Sequence, residues 1–262
     1  MADDPKRQDP RVFFVGAGPG DPELITVKGR RLLRRADRVV YAGSLVPRAL
    51  LDECKPGAEL FDSAPLTLER THALLVEAVR ENRIVVRLHT GDPALYGAIQ
   101  EQMNLLDREG IAYEVVPGVS AAFAAAARIG CQLTLPEVSQ TVIFTRTAGR
   151  TPVPDRESLS SLAAHGSTMA IYLSVSQMEA VVEALRGAYP EETPVVVVYR
   201  VGWPDERILQ GTLAHIAAKV REAGMDRQAV ILVGEALNPK RYGTRSRLYD
   251  QSFSHGFRSS RP

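Results

Sequence analysis

Short apolar runs that stop at glycine or proline, each followed by a stretch with helical spacing, leave this chain few folds to choose from. Val12-Phe13-Phe14-Val15 reads as a buried strand; Gly16 to Pro22 breaks it, and Thr26 is placed to cap a helix from Val27 to about Ala36. Val39-Val40-Tyr41 and Leu60-Phe61 read as further strands, with a short helix near Ala49 to Asp52 between them. Leu68, Leu75, Val76 and Val79 repeat with helical spacing, Ile84-Val85-Val86 is strand-like, and Ile99, Met103 and Leu106 mark a helix from about Gly97 to Glu109. Tyr113 to Val116 closes the series as a strand, and Ser120 stands ready to cap the alanine-rich stretch to Ile129. Strand and helix in strict alternation predict a mainly parallel, doubly wound sheet.

The pattern lapses over Gly130 to Gln140, which reads as a linker, and then resumes. Val142 to Phe144, Met169 to Leu173, Val195 to Tyr199, Ile208 to Gln210 and Val230 to Val233 read as strands. Helices are expected near Gln177 to Leu185 and Leu213 to Glu222, the second capped by Thr212. The expected organisation is two α/β domains, residues 11–136 and 137–241, followed by a tail over 242–262.

Composition removes several functional classes. The net charge of +1 and 6% aromatic residues do not suit an RNA binder working through a basic, aromatic sheet face. Lys28, Arg30, Arg31, Arg34 and Arg35 do cluster, as do Arg245, Arg247, Arg258 and Arg261 near the end; a solvated face competes there with a site for a polyanion. Cys54 and Cys131 make neither a disulfide framework nor a zinc site, which fits a reducing compartment such as the cytoplasm. No apolar run approaches a membrane span, and the polar stretch up to Pro10 reads as a lead-in, not a signal peptide.

Gly16-Ala17-Gly18-Pro19-Gly20-Asp21 follows the first strand, where nucleotide loops often lie. The dinucleotide fingerprint wants a third glycine where Asp21 stands, and Pro19 and Pro22 forbid a helix opening inside the motif. No Gly-Lys-Ser/Thr is present for a phosphate loop, and no acid follows the second strand at Tyr41-Ala42-Gly43 to hold ribose hydroxyls. A tight strand-to-helix turn therefore competes with a ligand loop. Two more breaks, His89-Thr90-Gly91-Asp92-Pro93 and Val116-Pro117-Gly118-Val119-Ser120, also follow strands. In a parallel sheet all three fall at the carboxyl ends, the ligand-binding edge. None carries a set of cations for phosphate; exposed backbone at such an edge suits a folded zwitterion better.

Together these blocks resemble the tetrapyrrole methylases. The stretch Val15 to Thr26, Thr90 to Pro93, Val116 to Ala121, and Pro194-Val195 with Gln210 to Leu213 match the family's signatures in order, over about residues 11 to 240. Tyr41 to Val46, His89 to Ile99, Arg146 to Pro154 and Tyr199 to Glu206 are similar to its precorrin-4 C11-methyltransferase branch, which acts in cobalamin biosynthesis. The resemblance implies two α/β domains with S-adenosylmethionine in the cleft between them, a homodimer, a tetrapyrrole substrate, and neither nucleic acid nor membrane as partner. It places Pro19, Gly91, Asp92, Leu95, Ser120 and Ala121 beside the cofactor, with Leu173 and Val201 approaching the adenine from the second domain.

The donor would be a sulfonium, already activated, so alignment and exclusion of water carry the catalysis and no strong base is needed. Asp92 either accepts from the cofactor's amino group or caps the turn before Pro93. His89 is a candidate proton shuttle or a structural residue. Tyr96 and Tyr199 either meet the macrocycle or pack in the core. For the substrate's many carboxylates the candidates are Arg146, Arg150, Arg48 and Lys28, with Arg87 behind them. No metal-ligand cluster is visible, so the choice between metal-free and cobalt-loaded precorrin-4 stays open. Methylation of uroporphyrinogen or of a protein side chain, and a non-catalytic tetrapyrrole carrier, are the remaining alternatives.

Overall fold

The computed structural model describes residues 11–238 and, beyond them, residues 243, 246, 250, 252–254 and 256–259. The expected lead-in and the tail cations Arg245, Arg247 and Arg261 lie outside the described residues. Arg258 is described, and donates to the carbonyls of Asp250 and Phe253. The chain forms two units: one runs to Ala124 and takes in Val201–Asp205, and the other comprises Ala125–Arg200 and the chain from Glu206 onward.

The first unit is built on five strands, β1 (Val12–Gly16), β2 (Arg38–Tyr41), β3 (Glu59–Asp62), β4 (Val85–His89) and β5 (Tyr113–Val116). They lie in the order β3-β2-β4-β1-β5, and every pairing is parallel. Its helices are α1 (Val27–Arg35), α2 (Arg48–Leu51), α3 (Leu68–Arg80) and α4 (Ile99–Arg108). Thr26 caps α1 as expected, its hydroxyl accepting from Gly29 N at 3.1 Å. Leu32, Leu33 and Leu50 of α1 and α2 pack with Phe13, Val15, Val39, Val86 and Leu88 on one face of the sheet. Leu74, Leu75, Ile99 and Leu106 of α3 and α4 pack with Val12, Phe14, Val40 and Val85 on the other. Each such side chain withdrawn from water contributes about 1.5–3 kcal/mol.

This winding positions the functional edge. β1 and β4 are neighbours, but the chain leaves β1 for α1 on one face and leaves β4 for α4 on the opposite face. The backbone therefore diverges just beyond their carboxyl ends, which is the switch point where open α/β sheets take ligands. The helix expected from Gly97 begins instead at Ile99, because Ala98 is left-handed at φ 49° and a helical start cannot run through it. After β5, helix α5 (Ala121–Arg128) opens with Ser120 O accepting from Phe123 N and Ala124 N.

The second unit has a mixed sheet of β6 (Val142–Arg146), β7 (Thr168–Tyr172), β8 (Pro194–Tyr199), β9 (Arg207–Thr212) and β10 (Ala229–Val233) in the order β6-β7-β10-β8-β9. Only β6 and β7 are parallel. One face is covered by α6 (Leu159–Ala163), α7 (Met178–Arg186) and α8 (Ile216–Glu222), through Leu159, Met178, Val181, Leu185, Ile216 and Val220. Thr212 does not cap α8: it ends β9, paired with Pro194, and the helix starts after His215. Helix α6 carries too short an apolar pattern to be seen in the sequence. Residues 130–141 hold no helix or ladder strand apart from an isolated Leu135–Ser139 bridge. Among the described residues no helix is long and apolar enough to cross a membrane, and no His, Cys, Asp and Glu side chains gather as a metal site.

Candidate functional site

Three glycines bring the three strand-end loops of the first unit into backbone contact. A Cβ on Gly16 would lie 2.5 Å from Gly118 Cα and 2.6 Å from Gly91 O, and one on Gly118 would lie 2.1 Å from Gly91 O. No side chain fits, so these backbones touch directly. Hydrogen bonds fasten the contact: Ala17 N donates to His89 O at 2.7 Å, Gly91 N to Gly18 O at 2.7 Å and Gly18 N to Gly91 O at 3.3 Å. The Asp92 carboxylate closes the ring, one oxygen accepting from Ala94 N at 2.8 Å and the other from Gly118 N at 2.9 Å. Gly91 itself is left-handed at φ 60°, and a Cβ there would meet nothing nearer than 3.9 Å, with Val119 O and Ser120 Cα the closest. Gly91 is itself buried, so the three loops form one tight backbone knot at this edge of the sheet.

The residues singled out in this unit take different parts. Pro19, Gly91, Asp92, Leu95, Ser120 and Ala121 all lie on the three loops of the knot or the turns leaving them. Asp92 is first a clip between two loops, the turn-capping alternative extended to a second partner. Tyr96 is 45% exposed and left-handed at φ 56°, as is Ala98 two residues on. Such backbone costs about 1–2 kcal/mol per residue and gathers at ligand sites. His89 is corrected. It is 4% exposed, facing Phe14 between the sheet and its helices, and burial first and the Arg87 charge second push its pKa down to about 3. It stays neutral near pH 7 and cannot shuttle a proton there. Arg87 is corrected likewise: it is buried on the same face, donating to Gln102 Oε1 and Val40 O at 3.2 Å each, out of reach of a substrate. Burial lowers its pKa only to about 10, so it remains a cation. Lys28 is paired with Glu114, and Arg48, exposed at the start of α2, makes no ion pair with the described residues.

In the second unit the parallel strands β6 and β7 end side by side. Leu173, next after β7, is left-handed at φ 55° and 70% exposed, an apolar side chain held out in a strained backbone. Behind it Ser174 is fully buried; its hydroxyl donates to Tyr172 O and accepts from Thr147 N at 2.9 Å and Thr147 Oγ1 at 3.0 Å. Arg146 is corrected as a substrate cation. Its guanidinium donates to the carbonyls of Thr147, Thr151 and Pro152 at 3.2, 3.1 and 2.7 Å, and so clamps its own loop. Arg150, on that loop, is exposed without an ion pair among the described residues. Tyr199 is taken up by Arg207, whose guanidinium carbon lies 4.8 Å from the ring centroid. Val201 belongs to the first unit, where its carbonyl lies against Gly20.

Gly118, the partner of both Gly16 and Asp92, and Trp203, which holds Pro19, are functional residues that the sequence does not single out. The single tryptophan of the chain, following a glycine in the segment Tyr199 to Glu206, was the available signal.

The profile of the Tetrapyrrole (Corrin/Porphyrin) Methylases matches residues 11–217. The cobalt-precorrin-4 C(11)-methyltransferase of Methanocaldococcus jannaschii is 54% identical over 251 residues, 95% of this chain and 96% of that protein. The precorrin-4 C(11)-methyltransferase of Pseudomonas aeruginosa is 49% identical over 247 residues, 94% of this chain and 98% of that protein. Among solved structures, a cobalt precorrin-4 methyltransferase superposes with a TM-score of 0.85 at 50% identity, covering 87% of this chain and 96% of that one. The Thermus thermophilus uroporphyrin-III C-methyltransferase complexed with S-adenosylhomocysteine gives 0.72 at 30% identity, covering 87% and 93%.

Proposed function

The chain belongs to the tetrapyrrole (corrin/porphyrin) methylases, and within that family we propose that it transfers a methyl group from S-adenosylmethionine to C11 of precorrin-4, giving precorrin-5 in cobalamin biosynthesis. The observation that carries the reading is the glycine knot at the switch point of the parallel sheet, where three strand-end loops meet backbone to backbone. The residues present fit the cofactor. The loops 16–22, 89–98 and 117–121 contain Asp21 and Asp92 and not one Lys or Arg, which suits a cationic, zwitterionic donor and disfavours a phosphate chain.

When bound, the cofactor supplies an activated methyl on a positively charged sulfur. The chain's part is to hold and to exclude water. Asp92 keeps the Gly91 loop at a fixed distance from the Gly118 loop, and the left-handed turn at Tyr96 presents a half-exposed phenol beside it. Leu173 is the second unit's candidate for an apolar ligand contact. Arg150 and Arg48, exposed and without an ion pair among the described residues, are the candidates to receive substrate carboxylates. Arrangement of this kind is worth about 7–11 kcal/mol of barrier in well-oriented reactions. The nucleophile is a ring carbon made electron-rich by its pyrrole nitrogen, so the neutral, buried His89 is not required as a base.

A second reading, cobalt-loaded precorrin-4 as substrate, is favoured by the 54% identity to the Methanocaldococcus jannaschii relative of that name. Incubation with metal-free and cobalt-loaded precorrin-4 and a labelled methyl donor separates the two; the reading expects one label at C11. Binding of S-adenosylhomocysteine with no transfer to either form would leave the family and refute the substrate. The same reading carries a cytoplasmic homodimer; light scattering of the purified protein tests the dimer, and cell fractionation tests the location.

A further inference from the structure

Backbone of the neighbouring loops meets Gly16, Ala17 and Gly18, whereas Pro19 and Gly20 are met by the segment that carries Trp203. The indole Nε1 donates to Pro19 O at 3.1 Å. A Cβ on Gly20 would fall 2.3 Å from Trp203 Cδ1, 2.6 Å from its Nε1 and 2.6 Å from Val201 O. Gly202 is left-handed at φ 80°, and a Cβ there would fall 2.6 Å from Asp21 N. The segment Val201–Asp205 therefore lies on the glycine loop with two glycines, one from each side, clearing the contact.

The contact bears on the Pro19–Gly20 peptide. Proline fixes its own φ, so the plane of that peptide turns on ψ of Pro19 and φ of Gly20. Glycine accepts either sign of φ, so the plane can flip at little cost. Gly20 is needed because the indole occupies the place of its Cβ, and that same glycine makes the peptide free to turn unless its carbonyl is tethered. The indole N–H is the tether.

Resting on the cofactor reading above, we propose that Trp203 is a positioning residue: its N–H locks the Pro19–Gly20 peptide in the one orientation that lets the glycine loop receive S-adenosylmethionine. It acts through Pro19, whose carbonyl it holds.

Trp203→Phe keeps an aromatic ring at the position and removes the donor. The expected result is S-adenosylhomocysteine binding weakened about fivefold to tenfold, the size of one lost hydrogen bond, with tetrapyrrole affinity nearly unchanged and the thermal midpoint lower by only about 2–4 °C. Calorimetric titration and thermal denaturation read these out. Equal affinity in variant and wild type overturns the lock, as does a loss shared equally by cofactor, tetrapyrrole and thermal midpoint, which marks a general structural role. Should the variant fail to fold, the wild type decides: its single tryptophan gives one indole N–H resonance, whose solvent exchange must slow when S-adenosylhomocysteine saturates, and an unmoved rate overturns the proposal. Wild-type protein that binds no S-adenosylhomocysteine would refute the cofactor reading itself, a different outcome from wild-type binding that Trp203→Phe leaves intact.

Discussion

Replacing Asp92 separates two roles that the sequence left open for it. In the structure each carboxylate oxygen accepts one backbone N–H, from Ala94 at 2.8 Å and from Gly118 at 2.9 Å. Hydrogen bonds to a charged acceptor contribute about 1.5–3 kcal/mol each, and the two share one side chain and are not additive. Asp92→Asn keeps one carbonyl-like oxygen and sets its NH2 group against the N–H it no longer accepts, donor facing donor. We expect it to cost about 2–4 kcal/mol, from one charged bond lost, one reduced to a neutral bond and one N–H stranded. Asp92→Ala removes both bonds without that confrontation, and is expected to be no worse. Urea unfolding gives the stability difference, and calorimetric titration with S-adenosylhomocysteine gives the affinity. The clip predicts that both fall together, since releasing the Gly118 loop loosens the knot that presents Gly91. If Asp92→Asn loses affinity at unchanged stability, the carboxylate works as a charge on the cofactor and the clip is refuted.

Three further outcomes follow from the same geometry. Gly118→Ala places a Cβ 2.1 Å from Gly91 O and 2.8 Å from Gly16 Cα, backbone that cannot yield, and should cost at least about 3 kcal/mol of unfolding free energy in urea. Arg150→Ala should raise KM for the tetrapyrrole, whereas Arg146→Ala should leave KM near wild type and speed proteolysis of residues 147–152, whose carbonyls it releases; the reverse pattern would show Arg146 to be the substrate cation. For His89 the folded pKa of about 3 lies below the ordinary 6.5, so the unfolded chain binds the extra proton between those values. Stability from this residue is full above about pH 6.5 and is lost as pH falls toward 3; His89→Leu should flatten that part of the stability profile and leave kcat between pH 6 and 8 without a lost titration, measured by urea unfolding and methyl-transfer assays.

The order of elements was legible because it rests on local rules. A run such as Val12 to Val15 is apolar at every position since both faces of β1 are covered, and Thr26 caps α1 through an atom three residues away. The three breaks after β1, β4 and β5 were legible as one edge because parallel strands must present their carboxyl ends together. Each rule relates residues near in the chain, or all strands alike.

What those rules do not contain is the partner on the far side of a contact. Composition and spacing put an aspartate after Gly91 and an arginine after β6, and could not say that the first would clip Gly118 or that the second would turn back on its own loop. Period-two alternation sets Arg87 and His89 on one face of β4, but only packed helices α3 and α4 make that face dry enough to hold the imidazole neutral. β10, last of the strands, pairs between β7 and β8, and Trp203 reaches Pro19 across 184 residues of chain. Periodicity reports which side of an element shuns water; the identity of the neighbour, and hence whether a polar group meets ligand or backbone, is settled when distant segments close on one another.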